Sequence, residues 1–150
     1  MTKHDAIQTP LTWNRSQILI RARRSDTAGA IGIFETVDQP GDGPPLHVHD
    51  DADETFVILS GEAEFSLNGK RSHHGVGATI FVPRGAEHAY RAIGSAPLRM
   101  LTIMTPGGFE AFFAEIAERN YRIPEDMQKV VEIAARYHVR FTGPPLADAS

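Results

Sequence analysis

The sequence predicts a mainly β sandwich or barrel followed by two α-helices, and three observations carry that prediction. Until about residue 105, short runs rich in Val, Ile, Phe, Tyr and Thr are separated by Gly, Pro, Asn or Ser, the rhythm of strands joined by tight turns. Asn68-Gly69 stands between Phe65-Ser66-Leu67 and Lys70-Arg71, a strong hairpin signal because a two-residue type I′ turn needs positive φ at both positions. Beyond Pro106-Gly107-Gly108 the apolar residues recur at helical spacing instead.

Residues 18–20 and 30–34 read as the first strands, and His47-Val48-His49 as a strand whose two histidines share a face while Val48 points away. A polar run, Asp50-Asp51-Ala52-Asp53, suits a turn before the strand-forming residues 55–59. Ser60-Gly61 makes a second reversal, and residues 63–67, 79–82, 89–93 and 98–104 complete the β region. His73 and His74 fall in a polar, glycine-rich connection and read as exposed loop residues. In the tail, Phe109, Phe112, Phe113, Ile116 and Ala117 form one helical stripe. Met127, Val130, Val131, Ala134 and Tyr137 form another, in a helix starting near Glu125 with Pro124 in its first turn. Residues 139–145 read as extended. The Phe-rich stripe is expected to bury against the β unit and to close one of its mouths as a lid.

At 150 residues and 41% hydrophobic content, one domain spanning residues 1–150 is expected, with a β core at about 11–105 and a helical tail at about 109–138. A formal net charge of −4 and a pI near 5.9 lack the basic bias of a nucleic-acid binder; Arg21, Arg23 and Arg24 are only a local cluster. The absence of cysteine excludes disulfides, thiolate zinc sites and iron–sulfur clusters, so a metal would be held by nitrogen and oxygen. Residues 1–10 carry no signal-peptide core and no later run approaches a membrane span, so a cytoplasmic, soluble protein with no membrane partner is the expectation. His4 near the start and His138 after the last helix are outside the site hypothesis.

Two stretches point to chemistry. Gly41-x5-His47-x-His49-x4-Glu54-x6-Gly61 is followed by Gly77-x5-Pro83-x-Gly85-x2-His88. Together they offer three imidazoles and one carboxylate, donors that divalent first-row transition metals accept. Glu54 can reach the histidine pair from a neighbouring strand, and a folded-over sheet brings His88 back to them. Iron, manganese, nickel or copper bound this way keeps open positions for a substrate, whereas four protein ligands saturate a tetrahedral zinc. By strand parity, Phe56 and Ile58 share the face of Glu54, Tyr90 that of His88, and Met100, Thr102 and Met104 line up on the last strand. These residues are the expected walls of an apolar pocket for a small-molecule substrate.

These residues resemble the two signature motifs of the cupin family, which have this order of Gly, His, His, Glu, Gly and then Gly, Pro, Gly, His. The resemblance implies a jelly-roll β-barrel, here with two C-terminal α-helices packed on it, a metal held by His47, His49, Glu54 and His88, and dimerisation. The family's second motif usually closes with an Asn that is not a ligand; Ala92 stands there. Within the cupins, Gly43-Pro44-Pro45-Leu46-His47-Val48-His49 and Pro106-Gly107-Gly108-Phe109 resemble small bacterial proteins related to quercetin dioxygenase. That likeness implies an oxygenase acting on an enol or aromatic hydroxyl, with Glu54 both ligating and taking the substrate proton. A metal-dependent isomerase or decarboxylase and a non-catalytic ligand-binding cupin are the alternatives.

Overall fold

The computed structural model describes residues 10–147. Its strands are β1 (Leu11–Trp13), β2 (Ser16–Ala22), β3 (Gly32–Asp38), β4 (Pro45–His49), β5 (Asp53–Ser60), β6 (Glu62–Leu67), β7 (Lys70–His74), β8 (Thr79–Val82), β9 (His88–Ile93), β10 (Leu98–Thr105) and β11 (Val139–Pro145). Helices α1 (Glu110–Arg119) and α2 (Met127–Arg136) lie between β10 and β11. The strands form two antiparallel sheets, one ordered β1-β2-β3-β10-β5-β8 and the other β11-β4-β9-β6-β7. The result is jelly-roll-like, with two facing sheets rather than one continuously hydrogen-bonded barrel.

Each sheet turns alternate residues inward, and two apolar clusters fill the space between them. One is built around Phe56, Ile58, Phe65, Leu98 and Met100. The other joins Ile18, Phe34 and Met104 to Phe112, Phe113 and Ile116 of α1 and Val130, Ile133 and Ala134 of α2. The Phe-rich stripe thus buries as expected, whereas in the second Val130 and Ala134 bury but Val131 is 42% exposed and Ile133 takes the core position instead. Trp13 meets Phe112 edge-on at 5.5 Å between ring centroids, and Phe34 meets Phe113 at 4.9 Å. The chain enters α1 through a close approach: a Cβ on Gly32 would lie 1.9 Å from Glu110 Oε1, so the buried carboxylate requires glycine opposite it. Glu110 accepts hydrogen bonds from the backbone N–H of Gly108 (2.7 Å) and of Arg24 (3.0 Å), satisfying the charge at a helix N-terminus where the dipole favours it.

Several boundaries depart from the sequence expectation for identifiable reasons. β3 begins at Gly32 and runs on to Asp38, through Glu35, Thr36 and Asp38, because partners satisfy its buried charges. Glu35 accepts from Arg21 Nε (2.6 Å) and Arg99 Nη2 (2.7 Å). His73 and His74 are not in a loop: β7 extends through both, since Arg71 and His73 reach across to the buried Glu64 at 3.0 and 3.1 Å and give an all-polar strand its register. Pro124 precedes α2 by three residues, in the turn that ends at Asp126, rather than lying in its first turn. β11, the extended closing segment, pairs with β4. Ala92, where the resemblance leads one to look for Asn, holds the loop through its backbone: Gly41 N–H donates to Ala92 O (2.8 Å) and Ala92 N–H to Asp42 O (2.9 Å).

Because Phe112 joins both helices to the sheet, Phe112→Ala is expected to lower unfolding free energy by about 3–5 kcal/mol, measured by urea titration of the parent and variant. A loss below ~1 kcal/mol would show that the tail is not part of the core.

Candidate metal centre

Four side chains converge between the sheets. His47 and His49 project inward from β4, and His88 opens β9 as the Cα partner of His47. Glu54 comes from β5, which belongs to the opposite sheet, so its carboxylate crosses the interior instead of arriving from a strand beside β4. One donor atom from each of the four residues lies within 4.8 Å of every other, and all four residues are buried.

The backbone orients each ring. His47 Nδ1–H donates to Pro45 O (2.8 Å) and His88 Nδ1–H to Ala86 O (3.0 Å), which turns both Nε2 atoms toward the centre. His88 Nε2 lies 2.8 Å and His49 Nε2 3.2 Å from the same oxygen, Glu54 Oε2. Neither ring nitrogen of His49 makes a well-aligned hydrogen bond among the described residues, although both are buried. A buried imidazole whose Nδ1 has no partner and whose Nε2 only abuts a carboxylate is poorly satisfied by protein alone and well satisfied by a cation. The donor set therefore fits a divalent transition metal.

Electrostatics follow from burial. Desolvation, joined by the nearby His88 and His49, pushes the pKa of His47 down to about 3, so it is neutral and able to donate a lone pair. Burial alone would raise Glu54, but the charge and hydrogen bonding of His49 and His88 outweigh it and hold the carboxyl well below its usual range. Burial likewise opposes protonation of His88, yet its hydrogen bond and charge contact with Glu54 raise it.

The neighbouring aspartates are engaged elsewhere. Asp50 pairs with Arg140 (2.8 Å), Asp51 approaches His138 (3.7 Å) and Asp53 accepts from the backbone N–H of Arg84 (2.9 Å). His73 and His74 lie on β7 at the far edge of the five-stranded sheet, bonded to Glu64 and Ser72. His4 lies outside the described residues.

A cavity of about 720 Å3 opens beside the cluster, with His47 and Glu54 in its wall. Of the residues expected to line it, Phe56, Tyr90 and Thr102 do; Ile58, Met100 and Met104 do not. Parity placed those three on the inward face correctly, but they are consumed by packing: Ile58 and Met100 among Phe65 and Leu98, Met104 among Phe112 and Ile116. Two of the wall residues that sequence reasoning missed bear on the site. Phe109, at the start of α1, sets its ring edge-on against His49 at 4.6 Å. Asp38, 1% exposed, accepts hydrogen bonds from Tyr90 Oη (2.9 Å) and Ser16 Oγ. Burial pushes the Asp38 carboxyl up, opposed by those two hydrogen bonds. Extending β3 past Phe34 with alternation kept would have put Thr36 and Asp38 on the inner face.

The acid dependence of the chelator-treated protein has a definite sign. Between pH 6.5 and about 3 the unfolded chain binds a proton at His47 that the folded chain refuses, so stability falls as pH falls through that window. Glu54, held low, adds a loss in the same direction below the ordinary glutamate value of 4.5. His88, held high, contributes stability below 6.5 that is lost only as pH rises. Urea midpoints at pH 6.5 and pH 5 should therefore drop toward acid, and His47→Gln should reduce the drop; an unchanged slope in the variant would contradict the burial of a neutral His47.

Residues 34–104 match the cupin domain family profile. Among characterised relatives, mannose-1-phosphate guanylyltransferase of Escherichia coli is 27% identical over 103 residues, covering 69% of this chain and 20% of that protein. Quercetin 2,3-dioxygenase of Bacillus subtilis is 28% identical over 99 residues, covering 66% of this chain and 29% of that protein. The chain thus matches less than a third of the length of either relative. A predicted oxalate decarboxylase from Thermotoga maritima, solved by crystallography, superposes with a TM-score of 0.63 at 22% identity over 71% of this chain and 99% of that one, a likeness of fold. Sequence motifs, profile match and fold agree that residues 34–104 form a cupin domain.

Proposed function

We propose that this chain is a metal-dependent small-molecule enzyme, an oxygenase of quercetin-dioxygenase type acting on an enol or aromatic hydroxyl. The observation that carries the reading is the position of the buried His47, His49, Glu54 and His88 cluster at one side of a cavity whose wall includes Phe34, Phe56, Tyr90 and Phe109. The sequence likeness to quercetin 2,3-dioxygenase over two thirds of the chain supports it. In this reading residues 1–150 act as one domain, cytoplasmic and homodimeric, with the helical tail closing the pocket.

A divalent metal on these four side chains would supply a Lewis acid that lowers the pKa of a bound substrate hydroxyl. His47, His49 and His88 hold it, their tautomers fixed at His47 and His88 by the Pro45 and Ala86 carbonyls. Glu54, ionised at neutral pH, takes the substrate hydroxyl proton on its carboxylate. Phe56 and Phe109 form apolar walls that exclude water and seat a planar ring.

The alternative class is an isomerase or decarboxylase of small oxo acids, to which the fold likeness to the predicted oxalate decarboxylase lends support. Oxygen uptake separates the two. The metal-loaded protein is expected to consume oxygen with at least one flavonol, catechol or diketone, and an oxygen electrode showing no uptake with any of them, alongside anaerobic turnover of an oxo acid, would transfer the proposal to the second class.

Metal analysis tests the ligands directly. His47→Ala, His49→Ala and His88→Ala should each strip most of the bound metal, whereas His73→Ala and His74→Ala should retain it. Equal metal content in all five variants would reject the assignment. Glu54→Gln should lower turnover by roughly 10^2- to 10^4-fold as the loss of a general base and a ligand.

A further inference from the structure

The cavity has a second polar feature that the metal ligands do not use. Tyr90 lies two residues beyond His88 on β9, its side chain on the same inward face, about 7 Å further along the strand. Its hydroxyl donates to Asp38 Oδ2 at 2.9 Å, and Asp38 Oδ1 accepts from Ser16, so the buried carboxylate fixes where the Tyr90 proton points. With that proton committed, the Tyr90 oxygen is left as an acceptor on the cavity wall, with the Thr36 hydroxyl beside it. Thr102, one interior row from Glu54 on the six-stranded sheet, adds a hydroxyl that is fully buried and has no partner among the described residues. An unpartnered buried hydroxyl on a cavity wall is costly unless something in the cavity engages it. Cations are placed differently. The arginines lining the cavity among the described residues are Arg15 and Arg122, both exposed at its rim, and Arg15 is paired with Asp42 at 3.3 Å.

We infer that Tyr90, held by Asp38 and Ser16, is a specificity-determining contact that accepts a hydrogen bond from a neutral donor at the distal end of the ligand and rejects an anion there. The inference rests on the proposed reading in that the oxygen at the ligand's near end belongs to the metal cluster. A rigid aromatic ligand on the order of 10 Å long, carrying a metal-binding oxygen at one end and a phenolic hydroxyl at the other, spans the one-row separation of His88 and Tyr90 plus the reach of the side chains. A carboxylate in the same distal place would meet Asp38 with no buried cation to offset it.

Three probes test this: 3-hydroxyflavone, the same molecule with a 4′-hydroxyl, and the same molecule with a 4′-carboxylate. Their affinities are measured by calorimetry on the full chain, metal-loaded and chelator-treated, beside Tyr90→Phe, Asp38→Asn and Thr102→Val, with metal content recorded for each. The parent should bind the 4′-hydroxyl probe roughly 10-fold more tightly than the unsubstituted one and the carboxylate roughly 10-fold more weakly. Tyr90→Phe should abolish the hydroxyl preference with metal content unchanged, and Asp38→Asn should relieve the penalty on the carboxylate. Equal affinity of the parent for the first two probes, a hydroxyl preference that survives Tyr90→Phe, or no binding of any probe would each overturn the inference. The distal preference does not require the ion, so it should persist in chelator-treated protein, whereas failure of the isolated and metal-loaded protein to retain any metal would sink the metal reading and leave the Tyr90 contact standing.

Discussion

The structure depends on one buried carboxylate. Glu54 is 4% exposed and belongs to the six-stranded sheet, yet the groups that satisfy it, His88 at 2.8 Å and His49 at 3.2 Å, belong to the other sheet. An isolated carboxylate in that position would cost several kcal/mol in lost hydration. The two sheets must therefore face each other in the one arrangement that brings β4, β5 and β9 together. The same constraint that fixes the sandwich assembles the donors, so site and fold are not separable here.

Around that centre the rest of the chain supplies walls. The antiparallel pairing of β10 with both β3 and β5 sets Phe34, Thr102 and Phe56 in one row across the sheet, next to the row that holds Glu54. Helix α1 then lays Phe112 and Phe113 against Trp13 and Phe34, and its leading Phe109 against His49. The tail is thus part of the core and part of the pocket at once. β11 returns from α2 to cover β4, with Val139 opposite His49 and Phe141 opposite His47, so the histidine strand is flanked on both edges.

Much of this was legible in the sequence because the strongest signals are local. His-x-His on a strand, the Asn68-Gly69 reversal and the Phe-rich helical stripe each follow from backbone geometry over a few residues. Ser60-Gly61, by contrast, is not a hairpin reversal but the link by which β5 of one sheet passes to β6 of the other. What could not be read locally was set by distant partners. β3 continues past Phe34 only because Arg21 and Arg99 neutralise Glu35 while Ser16 and Tyr90 satisfy Asp38. The all-polar β7 is a strand because Glu64 waits opposite it. The pocket shows the limit of parity: Ile58, Met100 and Met104 face inward, but whether an inward residue lines a cavity or fills the core depends on the residues across the sandwich. Glu54 illustrates the same point, since spacing brought it near the histidines but gave no sign that it would cross from the opposing sheet.

His47, His49, Glu54 and His88 are proposed to join the two sheets at a metal. Anomalous diffraction from crystals of protein isolated without added metal, collected on both sides of the absorption edges of manganese, iron, nickel, copper and zinc, tests it most directly. One strong peak is expected, bounded by the Nε2 atoms of His47, His49 and His88 and by a Glu54 carboxylate oxygen. A peak elsewhere, such as at His73 and His74, or no peak between the sheets with Glu54 still bonded to His88, would contradict it.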